Sequence, residues 1–222
     1  MTSPTETRQA DGRRERGRRT RASILATAAN IASVEGLEGL TIGRLAAELK
    51  MSKSGLFAHF GSKEELQLAT IDAAREVFRR HVVEPAVEAP RGLPRLEALI
   101  DRWLAYLREQ VFDGGCFFDA VRAEFDSRPA GPVRDIIETD LADWHALLTR
   151  QVTTAKELGQ LRAEVDTEQL LFEIDALATN ASLRHQLTGD ARLYERAATA
   201  IAARLRDASA RPGRITARRP AR

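Results

Sequence analysis

The chain has a single cysteine, Cys116, among its 222 residues. No internal disulfide framework can form, which excludes the stapled architecture of small secreted domains and fits a reducing compartment. No run comes near the roughly 18 apolar residues that a membrane helix needs, so no membrane partner is expected. The first 22 residues are too polar for a secretory signal, and a cytoplasmic location follows as the expectation. No strand-like alternation of period two and no internal repeat is visible, so the fold class is all-α. The four histidines form no cluster with Asp, Glu or Cys at ligand spacing, which argues against a metal site. A nucleophile with its base and a phosphate-cradling loop are also missing. No catalytic residue is assigned, no cofactor is implied, and an enzyme is not expected.

What is present is a globular composition, 43% hydrophobic and 30% charged, with its charge unevenly placed. Residues 1–22 carry seven arginines against Glu6, Asp11 and Glu15, a net +4; residues 204–222 carry seven against Asp207, a net +6. Since the whole chain is +2, the body between is −8. An acidic globule flanked by two basic ends suggests a polyanionic partner at the ends. The arginine-rich head is either a solvated tail or an arm that strengthens binding to such a polyanion, and the basic tail reads as solvated.

Between the ends, every periodic segment reads as helix. The first spans about Thr20 to Glu35, with Gly36 as its stop. Two very short helices follow, Ile42 to Leu49 capped by Thr41 and about Lys53 to His59 capped by Ser52. The next begins at Ser62, where Ser62-Lys63-Glu64-Glu65 spells a capping box, and its apolar line is Leu66, Ala69, Ala73 and Val77. Longer helices follow from Pro94, from Phe117, from Pro132 to about Leu158, from Asp166 and from Ala191. The expected division is a basic disordered arm at 1–18, a three-helix head at 19–65, a helical body at 66–207 and a basic disordered tail at 208–222.

Two helices of about two turns, joined tightly and each opened by a hydroxyl cap, make a helix-turn-helix pattern. Such helices are unstable alone, so Leu45, Leu49, Met51, Leu56 and Phe60 should face supporting helices and leave the second helix free for a major groove. The order of Thr41, Leu45-Ala46, Ser52, Gly55-Leu56, Phe57, His59-Phe60 and Lys63-Glu64 resembles the TetR family of regulators over residues 20–66. By that resemblance Thr41, Phe57, His59 and Lys63 contact the DNA backbone, and Lys53, Ser54, Gly55 and Ala58, with Arg44 nearby, face the bases. His59 beside Phe60 is alternatively a packed core histidine. Three positions depart from the family pattern: Phe57 replaces a common tyrosine, Gly43 removes a side chain, and Lys50 stands where glycine is usual in the turn.

The resemblance implies an N-terminal three-helix helix-turn-helix domain joined to a helical ligand-binding and dimerisation domain. Aromatics concentrate between residues 103 and 144, in helices that line the ligand cavity in this family. The ligand set expected is Trp103, Tyr106, Leu107, Cys116, Phe117, Phe118, Phe125, Trp144 and His145, with Asp119 as a further polar handle, for a small apolar or aromatic effector. Cys116 is alternatively a redox sensor or, as a lone buried thiol more often is, inert. Leu170, Ile174, Leu177 and Ala181, then Leu193, Ala197, Ile201 and Leu205, form stripes that would pair with a second copy as a four-helix interface. The resulting expectation is a homodimeric repressor on a palindromic operator in double-stranded DNA, released by its effector. The rival classes are a sequence-nonspecific DNA-binding protein and a helical protein-interaction module.

Overall fold

A computed structural model describes residues 4–210, with side chains from residue 17 onward and at residue 15. Helix α1 spans Pro4–Gly39 and breaks at Gly36, whose φ of 76° and ψ of 166° suit only glycine. Its start corrects the expected boundary near Thr20, because the polar segment continues the helix instead of standing apart from it. The packed part beyond Ile24 supplies the nucleus from which a helix propagates cheaply, and Glu15 pairs with Arg18 and Arg19 one turn on. The basic tail from residue 211 onward lies outside the described residues.

Helices α2 (Ile42–Leu49) and α3 (Lys53–Phe60) precede α4 (Lys63–Phe78). The chain of α4 then widens into a π turn at Arg79–Val83 and closes with a last turn at Glu84–Ala86. Pro85 has no N–H to donate, which accounts for the loosened ladder just before it. The body continues with α5 (Leu93–Arg108), α6 (Phe117–Phe125), α7 (Pro132–Glu157), α8 (Thr167–Thr188) and α9 (Arg192–Ala208). No strand forms among the described residues; one isolated bridge joins Leu161 to Ser209.

Capping explains most boundaries. Thr41, Ser52, Ser62 and Asp166 each accept a backbone N–H three residues on, at 3.0, 3.1, 3.0 and 3.1 Å. The capping box at Ser62 is only half made, since Ser62 donates its own N–H to the Phe60 carbonyl at 2.7 Å instead of to Glu65. The inward face of α4 is also rotated from the expected line. Leu66, Gln67, Thr70, Ile71 and Ala74 are buried because α4 packs against α1 on one side and α7 on the other.

The head is clamped to the body along α1. Asn30 and Asp113 exchange two hydrogen bonds, and the Gly114 N–H donates to Ser33 Oγ at 3.1 Å. A Cβ at Gly114 would lie 1.9 Å from the Ser33 carbonyl oxygen, so glycine alone permits this approach. At the far end of α6, the Glu124 carboxylate accepts from the N–H groups of Leu37 and Glu38 at 2.7 and 2.8 Å. That carboxylate satisfies the backbone freed by the break at Gly36.

Candidate nucleic-acid interface and effector cavity

Helix α3 is anchored by Leu56 and Phe60, both essentially inaccessible, while α2 is anchored by Leu45 and Ala46. Lys50, at φ 53° and ψ 38°, takes the left-handed position of the turn that glycine usually fills, and Met51 closes it by donating to Ala46 at 3.0 Å. Held this way, α3 turns Lys53, Ser54, Phe57 and Ala58 to solvent, with Gly55 half-buried between them. Phe57 is 56% exposed, unusual for a large apolar ring and consistent with a contact surface. Thr41 is exposed at the start of α2, and Gly43 leaves room for the Lys53 stem, whose Cε would lie 3.5 Å from a Cβ there.

Two other cations on this face are engaged by the protein itself. Arg44 pairs with Glu35 at 2.9 Å and Glu48 at 2.8 Å, and Lys63 binds Glu38 Oε2 at 2.9 Å. The Lys63 ammonium holds the Glu38 carboxyl below its ordinary range. His59 is half-buried, and its carbonyl receives Arg21 at 2.6 Å while the Arg21 guanidinium lies 4.5 Å from the Phe60 ring centroid. Arg21 thus straps α1 to the end of α3, a role that a count of charges in the arginine-rich head does not reveal.

The body contains a cavity of about 210 Å³ between α4, the π turn, α5, α6, α7 and α8. Of the expected ligand set, Trp103, Cys116, Phe118 and Trp144 line it. His145 lines an adjoining pocket of about 330 Å³ that shares Trp103 and Trp144. Tyr106, Leu107, Phe117 and Phe125 do not line either space. Phe117 is wholly buried against Phe112, Leu107 accepts from the Tyr194 hydroxyl at 3.1 Å, and Phe125 lies under Arg128. These four are core residues, so the expectation that they touch ligand is corrected by their packing. Cys116 is fully enclosed and its thiol pKa is pushed up by burial, which makes an inert thiol and not a redox centre.

Sequence reasoning missed much of the lining. Arg75, Phe78, Arg79, Val83, Arg122, Asp140, Leu141, Asp143, Leu147 and Asp175 complete the wall with Asp119. Pro85 was the available signal, since a helix approaching it loosens, and the loosened turn brings Phe78, Arg79 and Val83 to one wall. Arg75 crosses from α4 to Asp140 of α7 at 2.6 Å, with Asp140 only 8% exposed. Asp119 has one carboxylate oxygen, Oδ2, buried without a partner, and its other oxygen lies 3.4 Å from Arg122. Burial pushes its pKa up to about 6.

The residues of the expected dimer stripes are covered within the protomer. Leu170, Ile174, Ala181, Leu193, Ala197, Ile201 and Leu205 are buried within one protomer, and Leu177 is half-buried, because α8 and α9 pack on each other and on the core. The apolar residues that α8 leaves outside are Phe172, Leu183 and Leu187, at 70%, 56% and 87% exposure.

A capped helix pair on a three-helix head, joined through shared helices to a hollow helical body, defines a two-part DNA-binding regulator. A family model described as bacterial regulatory proteins, tetR family, matches residues 24–70. One described as tetracyclin repressor-like, C-terminal domain, matches residues 92–201. The chain belongs to the TetR family and is a transcriptional regulator with a helix-turn-helix DNA-binding domain and a ligand-binding C-terminal domain, not an enzyme. A TetR transcriptional regulator from Chloroflexus aurantiacus has the same fold at a TM-score of 0.76 and 26% identity, over 88% of this chain and 98% of that one. A TetR-family regulator from Streptomyces coelicolor aligns at 0.71 and 23% identity, over 93% and 97%. AibR in complex with isovaleryl coenzyme A and operator DNA aligns at 0.63 and 23%, over 82% and 95%. Comparison with curated proteins finds no match. No described helix is long and apolar enough to cross a membrane.

Proposed function

We propose that this regulator binds a palindromic operator as a homodimer, represses there, and is released when a small, largely apolar or aromatic effector enters the cavity. One observation carries the reading: the helices that wall the cavity are the helices that hold the head. Helix α4 starts beside α3 at Lys63 and reaches the cavity at Arg75 and Phe78, with Gln67 donating to the Leu37 carbonyl at 2.8 Å between. Helix α6 starts at the cavity with Phe118 and Asp119 and ends with Glu124 on the Gly36 corner. A ligand that shifts either helix moves the α2–α3 pair.

Such a ligand acts only through a difference in affinity between the two states. A coupling of about 1–3 kcal/mol weakens operator binding roughly 5- to 150-fold. Lys53, Ser54, Gly55 and Ala58 face the bases, and Thr41, Phe57 and His59 the backbone. Arg44 and Lys63 join them by exchanging carboxylates for phosphates. Dimerisation falls to Phe172, Ala176, Leu183 and Leu187, which share one edge of α8 within about 60° of arc at 100° per residue. That AibR was crystallised with both operator DNA and an acyl-coenzyme A supports a two-site reading on this fold.

The test is selection of bound fragments from random and genomic DNA, with winners titrated at fixed salt beside their scrambles. A palindrome bound about 10³-fold or more tighter than its scramble is expected. Uniform binding regardless of sequence replaces this reading with nonspecific DNA binding, and no binding at all with a protein-interaction module.

A further inference from the structure

We propose that the effector carries a positive charge: the cavity is built to take an organic cation, with aromatic walls around its head and Asp119 as its counter-ion. The proposal rests on the reading of the body as an effector domain and names the chemical class that the site selects.

Four rings converge on the cavity, Phe78, Trp103, Phe118 and Trp144. Trp144 stands 5.1 Å from Phe78 at 89° and 5.7 Å from Trp103 at 68°, while Phe118 stands 5.9 Å from Phe78 at 81°. These are walls meeting at steep angles, not a closed stack, and the π faces of such a box attract a cation whose hydration is weak. A neutral apolar ligand would fit the rings equally well. It gives no reason for a carboxylate among them.

Asp119 supplies the discrimination. Asp119 lines the cavity at the start of α6, and its Oδ2 is buried with no hydrogen-bond partner, with the Cys116 thiol beside the carboxylate. Arg122 is the nearest cation, but its 3.4 Å contact goes to Oδ1 alone, and the same guanidinium is shared with Asp175 at 3.9 Å. The other two arginines on the wall are committed elsewhere. Arg75 is held by Asp140 and Asp72, and Arg79 by Glu76 and Glu84. Counted with Asp140, Asp143 and Asp175, the lining has one carboxylate more than it has guanidinium groups. A buried, singly held carboxylate inside an aromatic box is the arrangement that a quaternary or tertiary ammonium completes, since it brings charge without demanding hydrogen-bond acceptors.

The groups facing Asp119 are Arg122 on its own helix, Asp175 on α8, and the neutral Cys116 and Tyr106 beside it. Its pKa of about 6 makes it ionised at pH 7.5 and mostly neutral at pH 5. Cation affinity therefore falls as pH is lowered, and a neutral ligand feels no such loss.

Calorimetry on the full chain, without DNA, compares phenyltrimethylammonium with tert-butylbenzene, its uncharged carbon isostere. At pH 7.5 the cation is expected to bind at least about tenfold more tightly than the isostere. The preference should shrink about tenfold at pH 5, following the single ionisation of Asp119. Asp119→Asn, which preserves shape and whose cooperative unfolding serves as the check on its fold, should remove the preference and leave the isostere unchanged. Equal affinity for both probes, or an unaltered preference in D119N, overturns the cation proposal while leaving an effector cavity in place. Binding of neither probe overturns it together with the cavity reading. Operator selection, done separately, still decides whether the head reads DNA.

Discussion

The two working surfaces of this chain are assembled in opposite ways. The head presents its chemistry outward from a stretch of about 25 consecutive residues: Lys53, Ser54, Phe57 and Ala58 are exposed while Leu56 and Phe60 hold the helix from behind. The body turns its chemistry inward and collects it from α4 to α8, with residues as far apart as Arg75 and Asp175 on one wall. Surface residues of the first kind can be changed with little effect on folding. Buried residues of the second kind cannot be changed without touching stability. The difference gives each region its own experimental signature.

The largest effect should come from a place that touches neither surface. Leu187→Arg, at an 87% exposed position of α8, puts a charge into the proposed two-fold interface without disturbing the protomer core. Monomers are expected by light scattering, and operator affinity should fall toward the non-specific level, about 10³-fold or more. A variant that stays dimeric and binds normally would show that the second copy docks elsewhere.

Next comes the body alone. The pKa of Asp119 is raised by burial in the folded state to about 6, from the ordinary aspartate value of 3.8. The folded state then holds a proton that the unfolded chain has released, so wild-type stability falls as pH climbs from about 4 to about 6. Asp119→Asn escapes that loss. Its advantage over wild type should be near zero at pH 4 and grow to as much as about 3 kcal/mol above pH 7, at about 1.4 kcal/mol per pKa unit. Urea unfolding at the two pH values measures it. Operator affinity without effector should be unchanged, and a change there would break the separation between the regions.

In the head, Lys53→Ala should cost about 1–3 kcal/mol of operator binding and relax sequence preference at one position in each half-site. The unfolding midpoint should barely move. If the loss proves equal for operator and scrambled DNA, Lys53 holds phosphate and not a base.

Glu124 sits on the boundary, and its substitution sharpens the comparison. Glu124→Gln retains one acceptor for Leu37 and Glu38 but loses the charge that strengthens both bonds, at a cost of about 1–2 kcal/mol in stability. Operator and effector should each still bind. The expected change is in their coupling, with effector shifting operator affinity less than in wild type. Unchanged coupling would assign the transmission to α4 alone.

How much of this was legible follows the same division. The head's caps at Thr41 and Ser52 and its apolar anchors could be read from spacing, because each contact lies within a few residues. Lys50 was flagged as conformationally costly and does take a positive φ. The body's helices were readable from their periodicity, but their faces were not. A helix packed on two sides buries more than one stripe, so α4 buries Gln67 and Thr70 where the pattern suggested Ala69 and Ala73. The stripes of α8 and α9 read as an interface with a second copy because a stripe does not say which helix covers it. Arg75, Asp140 and Asp175 carry no signal of their own, since nothing in sequence places them across a cavity from one another.

The smallest effect tests whether the head's exposed ring really lies against DNA. Phe57 is 56% exposed, so a para hydroxyl added by Phe57→Tyr points into solvent in the free protein and leaves stability unaltered. Against a phosphate it forms one neutral-donor hydrogen bond, worth about 0.5–1.5 kcal/mol net, or roughly two- to tenfold in operator affinity. It adds no cation and displaces no counter-ion, so the slope of affinity against salt should stay the same. Lys63→Ala provides the contrast, reducing that slope by about one if Lys63 leaves Glu38 for a phosphate. A tenfold gain in F57Y with an unchanged slope places the ring at the backbone; no gain places it over sugar or apolar surface, where the hydroxyl finds no acceptor.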